Sequence, residues 1–207
     1  TARSSPVQIP GTTWGTTSDK MSVGFRGSVA VRTDGTLWTW GGNGLGQLGH
    51  NDKNNRSSPT QIPGTTWNSC YGGQYMYAAI NTDGELWTWG RNQGGQLGIN
   101  ASNDTFRSSP VQVPGTEWSS VATGDGHVFG LRTDGTLWAW GQEEYGQGGH
   151  NNLTKYSSPA QIPGTTWSTI NAGASQGFGI KTDGTLWAWG GNWNGGLGQN
   201  DVAFRSS

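Results

Sequence analysis

Three histidines, one cysteine and four Asp-Gly steps are the residues whose types invite a chemical reading. His50 and His150 each follow a Gly-Gln-x-Gly turn in two stretches of similar sequence. Two imidazoles meeting across a ring would make half of a metal site. Neither has a Cys, Asp or second His at ligand spacing, so both are read as polar loop residues. Cys70 is the single cysteine. It has no intrachain partner and no Cys-x-x-Cys context, and reads as a small buried thiol. Asp34, Asp83, Asp134 and Asp183 each precede a Gly. A ring of carboxylates would suit a cation, but Asp in this place closes a turn on its own backbone. Gly-rich strings such as Gly41–Gly49 resemble phosphate loops. No helical pattern follows them, so no helix N-terminus would face an anion. The expectation is no catalytic residue, no metal, no cofactor and no enzyme activity.

Binding is the chemistry that remains. Trp193 stands in a Gly-rich loop where Gly44, Gln93 and Glu144 occupy the same place in sister segments. Tyr145 lies one position further on in its own segment. Aromatics in such loops can stack on a sugar ring or a base. Asn43, Asn92 and Asn192 are the polar candidates of the same loops. Phe106, Tyr156 and Phe204 sit at the entry to a Ser-Ser-Pro or Arg-Ser-Ser step and are expected to staple loops to the scaffold. Asn55, Asn100, Asn103 and Asn152 each begin an Asn-x-Ser/Thr sequon, a glycan acceptor in a secreted protein.

These residues are positioned by a repeat. Pro-Gly-Thr-x-Trp occurs at Pro10–Trp14, Pro63–Trp67, Pro114–Trp118 and Pro163–Trp167. Thr-Asp-Gly-x-Leu-Trp-x-Trp-Gly occurs at Thr33–Gly41, Thr82–Gly90, Thr133–Gly141 and Thr182–Gly190. The period is about 50 residues, the scale of a propeller blade. Repeats run approximately over 3–55, 56–106, 107–155 and 156–204, with 205–207 starting a fifth. Length varies only between Trp14 and Thr33 and between Gly98 and Ser108, as when rigid units are joined by loops. The third repeat offers four strand-like runs, at Pro110–Gly115, Trp118–Thr123, His127–Arg132 and Thr136–Gly141. Asp134-Gly135 between the last two is a strong hairpin signal. No stretch carries a helical period.

The composition agrees. Gly occurs 37 times and Trp 13 times, while charged residues make up 12%. That is about half the usual charged share. Twelve Trp recur with the repeat and are expected to fill the core, each burying about 200 Å². The formal net charge of −1 gives no footprint for nucleic acid. No apolar run is long enough to insert in a membrane. The first residues, Thr1 to Gly11, lack the pattern of a secretory signal.

The order Gly, apolar strand, Asp-Gly, Leu-Trp-x-Trp-Gly, Gly-Gln-Leu-Gly, Ser-Pro resembles the regulator of chromosome condensation repeat. Asp34-Gly35, Leu37-Trp38, Trp40-Gly41 and Gly46-Gln47-Leu48-Gly49 carry the resemblance, with their equivalents along the whole chain. It implies a propeller of four-stranded blades, seven in the best-known members. It also implies a spread of roles: exchange factors for small GTPases, chromatin binders, enzyme inhibitors, and bacterial or phage surface proteins. The family often has a His before its third strand, and only His127 fills that place; Gly27, Met76 and Gln176 align with it.

The expected fold is therefore all-β, a propeller of four blade-sized repeats of four antiparallel strands. Three endings are open: a closed four-bladed ring, part of a larger propeller, or completion by another copy. The expected function is a non-catalytic binding or scaffold module with a protein or glycan partner. Low Lys content and richness in Thr, Asn and Gly suggest an extracellular, phage or cell-surface setting. One alternative is a structural subunit that associates head-to-tail through its terminal strands. The other is an exchange-factor-like regulator of a small GTPase.

Overall fold

A computed structural model describes residues 4–101 and 105–206. Its strands form four antiparallel sheets in chain order. Strands β1 (Met21–Val23), β2 (Gly27–Val31), β3 (Leu37–Gly41) and β4 (Arg56–Ile62) make the first. Strands β5 (Trp67–Gly72), β6 (Met76–Asn81), β7 (Leu86–Gly90) and β8 (Arg107–Gln112) make the second. Strands β9 (Trp118–Thr123), β10 (His127–Arg132), β11 (Leu137–Gly141) and β12 (Tyr156–Ile162) make the third. The fourth holds β13 (Trp167–Ala172), β14 (Gln176–Lys181) and β15 (Leu186–Gly190). There Arg205 bridges Gly190, as Arg56 pairs with Gly41 in the first sheet. A 3-10 turn at Ser18–Lys20 occupies the longer first connection.

The outer strand of each sheet comes from the start of the next sequence repeat. Sheet and repeat are thus one strand out of phase, and every boundary between sequence repeats is stitched by a sheet. The Asp-Gly turn has the three-residue form, with only its Gly at positive φ. Gly35 sits at φ 76°, and a Cβ there would collide with the Thr65 carbonyl. Asp34 Oδ1 accepts from Thr36 N at 3.0 Å and Thr36 Oγ1 at 2.6 Å. Trp38 Nε1 donates to Thr36 Oγ1 at 2.8 Å, so the turn also orients the indole. Blade two has Glu85 in place of the Thr, and Asn81 takes over. Its Oδ1 accepts from the backbone of Asp83 and Glu85 at 3.0 and 2.9 Å.

The core lies between sheets. One cluster joins Val29, Val31, Leu37 and Ile62 to Trp67, Tyr77 and Trp89. A second joins Ile80 and Leu86 to Trp118 and Trp140. A third joins Phe129, Leu137 and Ile162 to Trp167 and Trp189. The expectation that twelve Trp form the core is corrected in part. Trp67, Trp89, Trp118, Trp140, Trp167 and Trp189 are buried. Trp38, Trp87 and Trp138 are half-buried and Trp187 is exposed, because each rims the edge beside its Asp-Gly turn, and Trp14 and Trp40 of the first blade are half-buried too. Three of these rim indoles stack with a cation: Arg32 lies 4.1 Å from Trp38, Arg132 4.5 Å from Trp138, and Lys181 4.2 Å from Trp187.

A closed four-bladed ring is not what forms. Among the described residues no strand pairing joins β15 to residues 4–10, and Val7 and Ile9 are exposed. Leu186 on β15 is 67% exposed, whereas its equivalents Leu37, Leu86 and Leu137 are 0% exposed.

Candidate binding face

The antiparallel order puts the β1–β2 type turns and the long Gly-rich loops at one end of every sheet. The long Gly-rich loops there differ in sequence from blade to blade. It is the loop face.

Asn43, Asn92 and Asn192 turn inward rather than standing free on the loops. All three are fully buried. Each Oδ1 accepts the backbone N–H five residues on, from Leu48, Leu97 and Leu197, at 2.8–3.0 Å. Each Nδ2 reaches across the loop to a backbone carbonyl, of Asp52, Ala101 and Asp201. The amides hold the loops closed from inside.

In the third blade Glu143 replaces this Asn and Gly148 replaces the Leu. A Cβ at Gly148 would collide with Glu143 Oε2, so the carboxyl enters the space the Leu side chain fills elsewhere. Glu143 Oε1 has no hydrogen-bond partner. Burial pushes this carboxyl up to about 7, although the N–H groups of Gly148 and Gly146 oppose the shift.

Trp193 and Tyr145 do come together. Their ring centroids are 4.8 Å apart at 75°. Phe204 completes a trio, 5.0 Å from Trp193 and 5.7 Å from Tyr145. Trp193 is 51% and Phe204 45% exposed. Three rings, mutually edge-to-face, make an apolar platform that bridges the third and fourth blades. Sequence reasoning set Phe204 aside as a loop staple. The signal was present: Trp193 and Phe204 flank one loop, whose neck closes on the Arg205–Gly190 bridge. Phe106 and Tyr156 behave as staples. Lys53 lies 5.4 Å from the Phe106 ring, and Tyr156 packs on His150 at 4.8 Å.

The remaining candidates serve the scaffold. His50 Nε2 lies 2.9 Å from Thr39 Oγ1, and His150 Nε2 lies 3.0 Å from the Ala160 carbonyl, each within its own blade. Burial lowers both imidazoles below the usual range. His127 is buried between blades three and four, with Nε2 3.4 Å from the Gln176 carbonyl. Burial drops it to about 4. Among the described residues no group of three or more His, Cys, Asp or Glu is placed to hold a metal. Hydrogen bonds from Thr36, Thr136 and Thr185 hold Asp34, Asp134 and Asp183 below the usual carboxylate range, as turn residues should be. Of the sequons, Asn55 and Asn100 are exposed and Asn152 is half-buried, its Oδ1 taken by Thr154 N at 2.8 Å. Asn103 lies outside the described residues.

The family's sequence model, the regulator of chromosome condensation (RCC1) repeat, matches residues 34–79, 83–131 and 134–179. The chain belongs to that family. A second RCC1 repeat model matches residues 19–47 and 118–147. Among curated relatives, the ultraviolet-B receptor UVR8 of Arabidopsis thaliana is 30% identical over 61% of this chain and 30% of its own. The RCC2 homolog of Danio rerio is 34% identical over 62% of this chain and 27% of its own. The matched region is thus less than a third of either relative. Human WBSCR16 superposes with a TM-score of 0.80 at 24% identity, over 90% of this chain and 50% of that one. Yeast RCC1 (Prp20), solved bound to Kap60, superposes with a TM-score of 0.76 at 24% identity, over 90% and 47%. This RCC1-repeat chain therefore has the blades of the RCC1 propellers.

Proposed function

We propose that this RCC1-repeat chain is a non-catalytic binding module that engages a protein partner through its loop face. The observation that carries the reading is the Tyr145–Trp193–Phe204 platform. Trp193 stands where the sister blades have Gly44, Gln93 and Glu144, so the fold does not require an indole there. Two exposed aromatics in mutual contact form the kind of anchor on which interfaces concentrate binding energy. A protein partner is preferred over a glycan because the three rings meet edge-to-face and leave no flat stacking surface. The extracellular or surface setting expected from composition belongs to the same proposal. The test is quantitative affinity capture with the wild type and with Trp193→Ala/Phe204→Ala, run beside a glycan array. A discrete set of proteins lost by the variant is expected, with a blank array. Equal capture by both chains, or glycan binding that needs Trp193, would overturn it.

A second reading, a self-associating structural subunit, is favoured by the exposed apolar side chains along β15. Ile180, Leu186 and Trp187 are exposed beside it. Residues 4–10, Ser-Ser-Pro-Val-Gln-Ile-Pro, match the Ser-Ser-Pro-x-Gln-Ile-Pro of residues 57–63 and 157–163. Those segments supply the outer strand in the first and third sheets. Residues 4–10 of a second copy therefore fit this edge. Sedimentation over a range of concentrations decides the point. Association weakened by Trp187→Asp is expected, and a monomer at every concentration sinks the reading.

A further inference from the structure

The near-identity of the four blades gives each residue three internal controls. A side chain demanded by the blade recurs; one that breaks the pattern has another reason to be there. At the third position of the β1–β2 type turn the blades carry Arg26, Tyr75, Gly126 and Ser175. Just after the third strand they carry Gly42, Arg91, Gln142 and Gly191. The backbone does the same work in each case: Gly42 and Arg91, for instance, donate to the carbonyls of Arg26 and Tyr75 at 2.7 and 2.9 Å. Two arginines have therefore been added to adjacent blades with no change of scaffold.

They face one groove of about 840 Å³ between blades one and two, with Tyr75 and Leu45 on its walls. The Arg26 guanidinium lies 5.5 Å from the Phe25 ring. Phe25 meets Tyr75 edge-to-face at 5.5 Å. Arg91 lies 5.7 Å from the Tyr75 ring. The row runs cation, ring, ring, cation across the blade boundary. Neither arginine pairs with a carboxylate among the described residues. Arg91 donates to the neutral Gln93 amide, and the Asp52 carboxylate on this rim is bound to Arg56 at 2.6 Å. Gly44 at the mouth has open space where a side chain would be.

We infer that this groove binds an acidic segment of a protein partner, with Arg26 and Arg91 each pairing a carboxylate and the Tyr75 ring, backed by Phe25, packing on the residue between. The inference rests on the loop face being the binding face. Guanidinium forks suit carboxylates in bidentate geometry, and rings beside them suit apolar side chains. A nucleic-acid strand fits less well. Two arginines are a short track, and the same face carries Asp125 and Glu144 on blade three, which repel a continuing phosphate chain.

The experiment measures fluorescence anisotropy of a labelled peptide of Glu-Glu-Tyr repeats against the 207-residue chain. Specific binding is expected, weakened about tenfold or more by Arg26→Ala/Arg91→Ala and by raising sodium chloride to about 0.5 M. Arg26→Lys/Arg91→Lys keeps the charge without the fork and is expected to fall between. Trp193→Ala, on the other platform, is expected to bind the peptide as the wild type does. No binding by the wild type overturns the inference, as does undiminished binding by the double alanine variant with its far-ultraviolet circular dichroism intact. An oligonucleotide of equal charge that binds more tightly than the peptide overturns it too. Loss of the groove alone would leave partner capture still dependent on Trp193, so the two readings fail separately.

Discussion

The indole nitrogen of Trp89 donates to the carbonyl of Gln47, 2.8 Å away on the preceding blade. Trp140 repeats this bond to Gln96, and Trp189 to Gln147, each at 2.9 Å. The last Trp of the Leu-Trp-x-Trp in blades two, three and four is thus a tie to the blade before, with its ring in the inter-sheet core. Trp140→Phe keeps most of the apolar area but strands a buried carbonyl. It is expected to cost about 1–3 kcal/mol. Trp138→Phe removes a bond to Thr136 at a half-buried rim and should cost less. Chemical denaturation of both variants checks the order, and equal losses would refute the tie.

That tie also marks the limit of what the sequence displays. The blade itself is legible because Asp134-Gly135, Leu137 and Trp140 each state a local rule: a turn, a buried strand face, a large core side chain. The strands at Trp118–Thr123 and His127–Arg132 form as expected and the next begins one residue late at Leu137, but the run expected at Pro110–Gly115 forms three residues earlier, at Arg107–Gln112. The Gln96 carbonyl that receives Trp140 is a backbone atom one repeat away, and no residue type announces it. The candidate site divides in the same way. Trp193 and Tyr145 stand out because they break the repeat, and the fold brings them into contact. Asn43, Asn92 and Asn192 look exposed because Asn in a Gly-rich loop usually is, and only the closed loop shows the amide pointing inward. Arg26 and Arg91 escape sequence reading because their meeting depends on which turn of one blade faces which loop of the next.

Trp193→Ala separates platform from core. The half-exposed side chain packs on Tyr145 and Phe204, so the change is expected to stay within about 1 kcal/mol of wild type. Trp189→Ala empties a buried inter-blade site and is expected to cost about 3–5 kcal/mol. Thermal unfolding of the pair is the check. A large loss at Trp193 would show it to be structural and withdraw it from the binding surface.

Glu143 and His127 act in opposite directions on pH stability. The Glu143 carboxyl is raised from 4.5 to about 7 by burial, so the folded chain holds a proton that the unfolded chain releases. Its contribution is full below about 4.5 and is lost as pH rises towards 7. His127 is lowered from 6.5 to about 4, so only the unfolded chain takes up its proton. Its contribution is present above about 6.5 and is lost as pH falls towards 4. The two slopes offset each other between about pH 4.5 and 6.5. Glu143→Gln removes one of them. The variant is expected to show a stability that climbs with pH across that window and to exceed wild type above pH 7. Melting temperatures across the range test this, and a variant profile parallel to wild type would count against a protonated Glu143.

Cys70 reports on the seam between the first two blades. Burial pushes its thiol up to about 12, and it is 1% exposed in the cluster with Val31, Ile62 and Trp67. A thiol reagent needs both access and thiolate, and here each is withheld until the blades part. Labelling at pH 8 is therefore expected to be slow in the native chain and stoichiometric in denaturant. Its native rate should track the opening of this seam rather than global unfolding wherever the seam is the weaker unit. Ala79 lies in the same cluster, on the second blade. Ala79→Gly thins the packing there and is expected to speed native labelling, while a Trp167 variant at the third seam should not unless it unfolds the whole chain. Fast labelling of the unmodified native protein would place Cys70 at an accessible surface and refute the seam packing described for it.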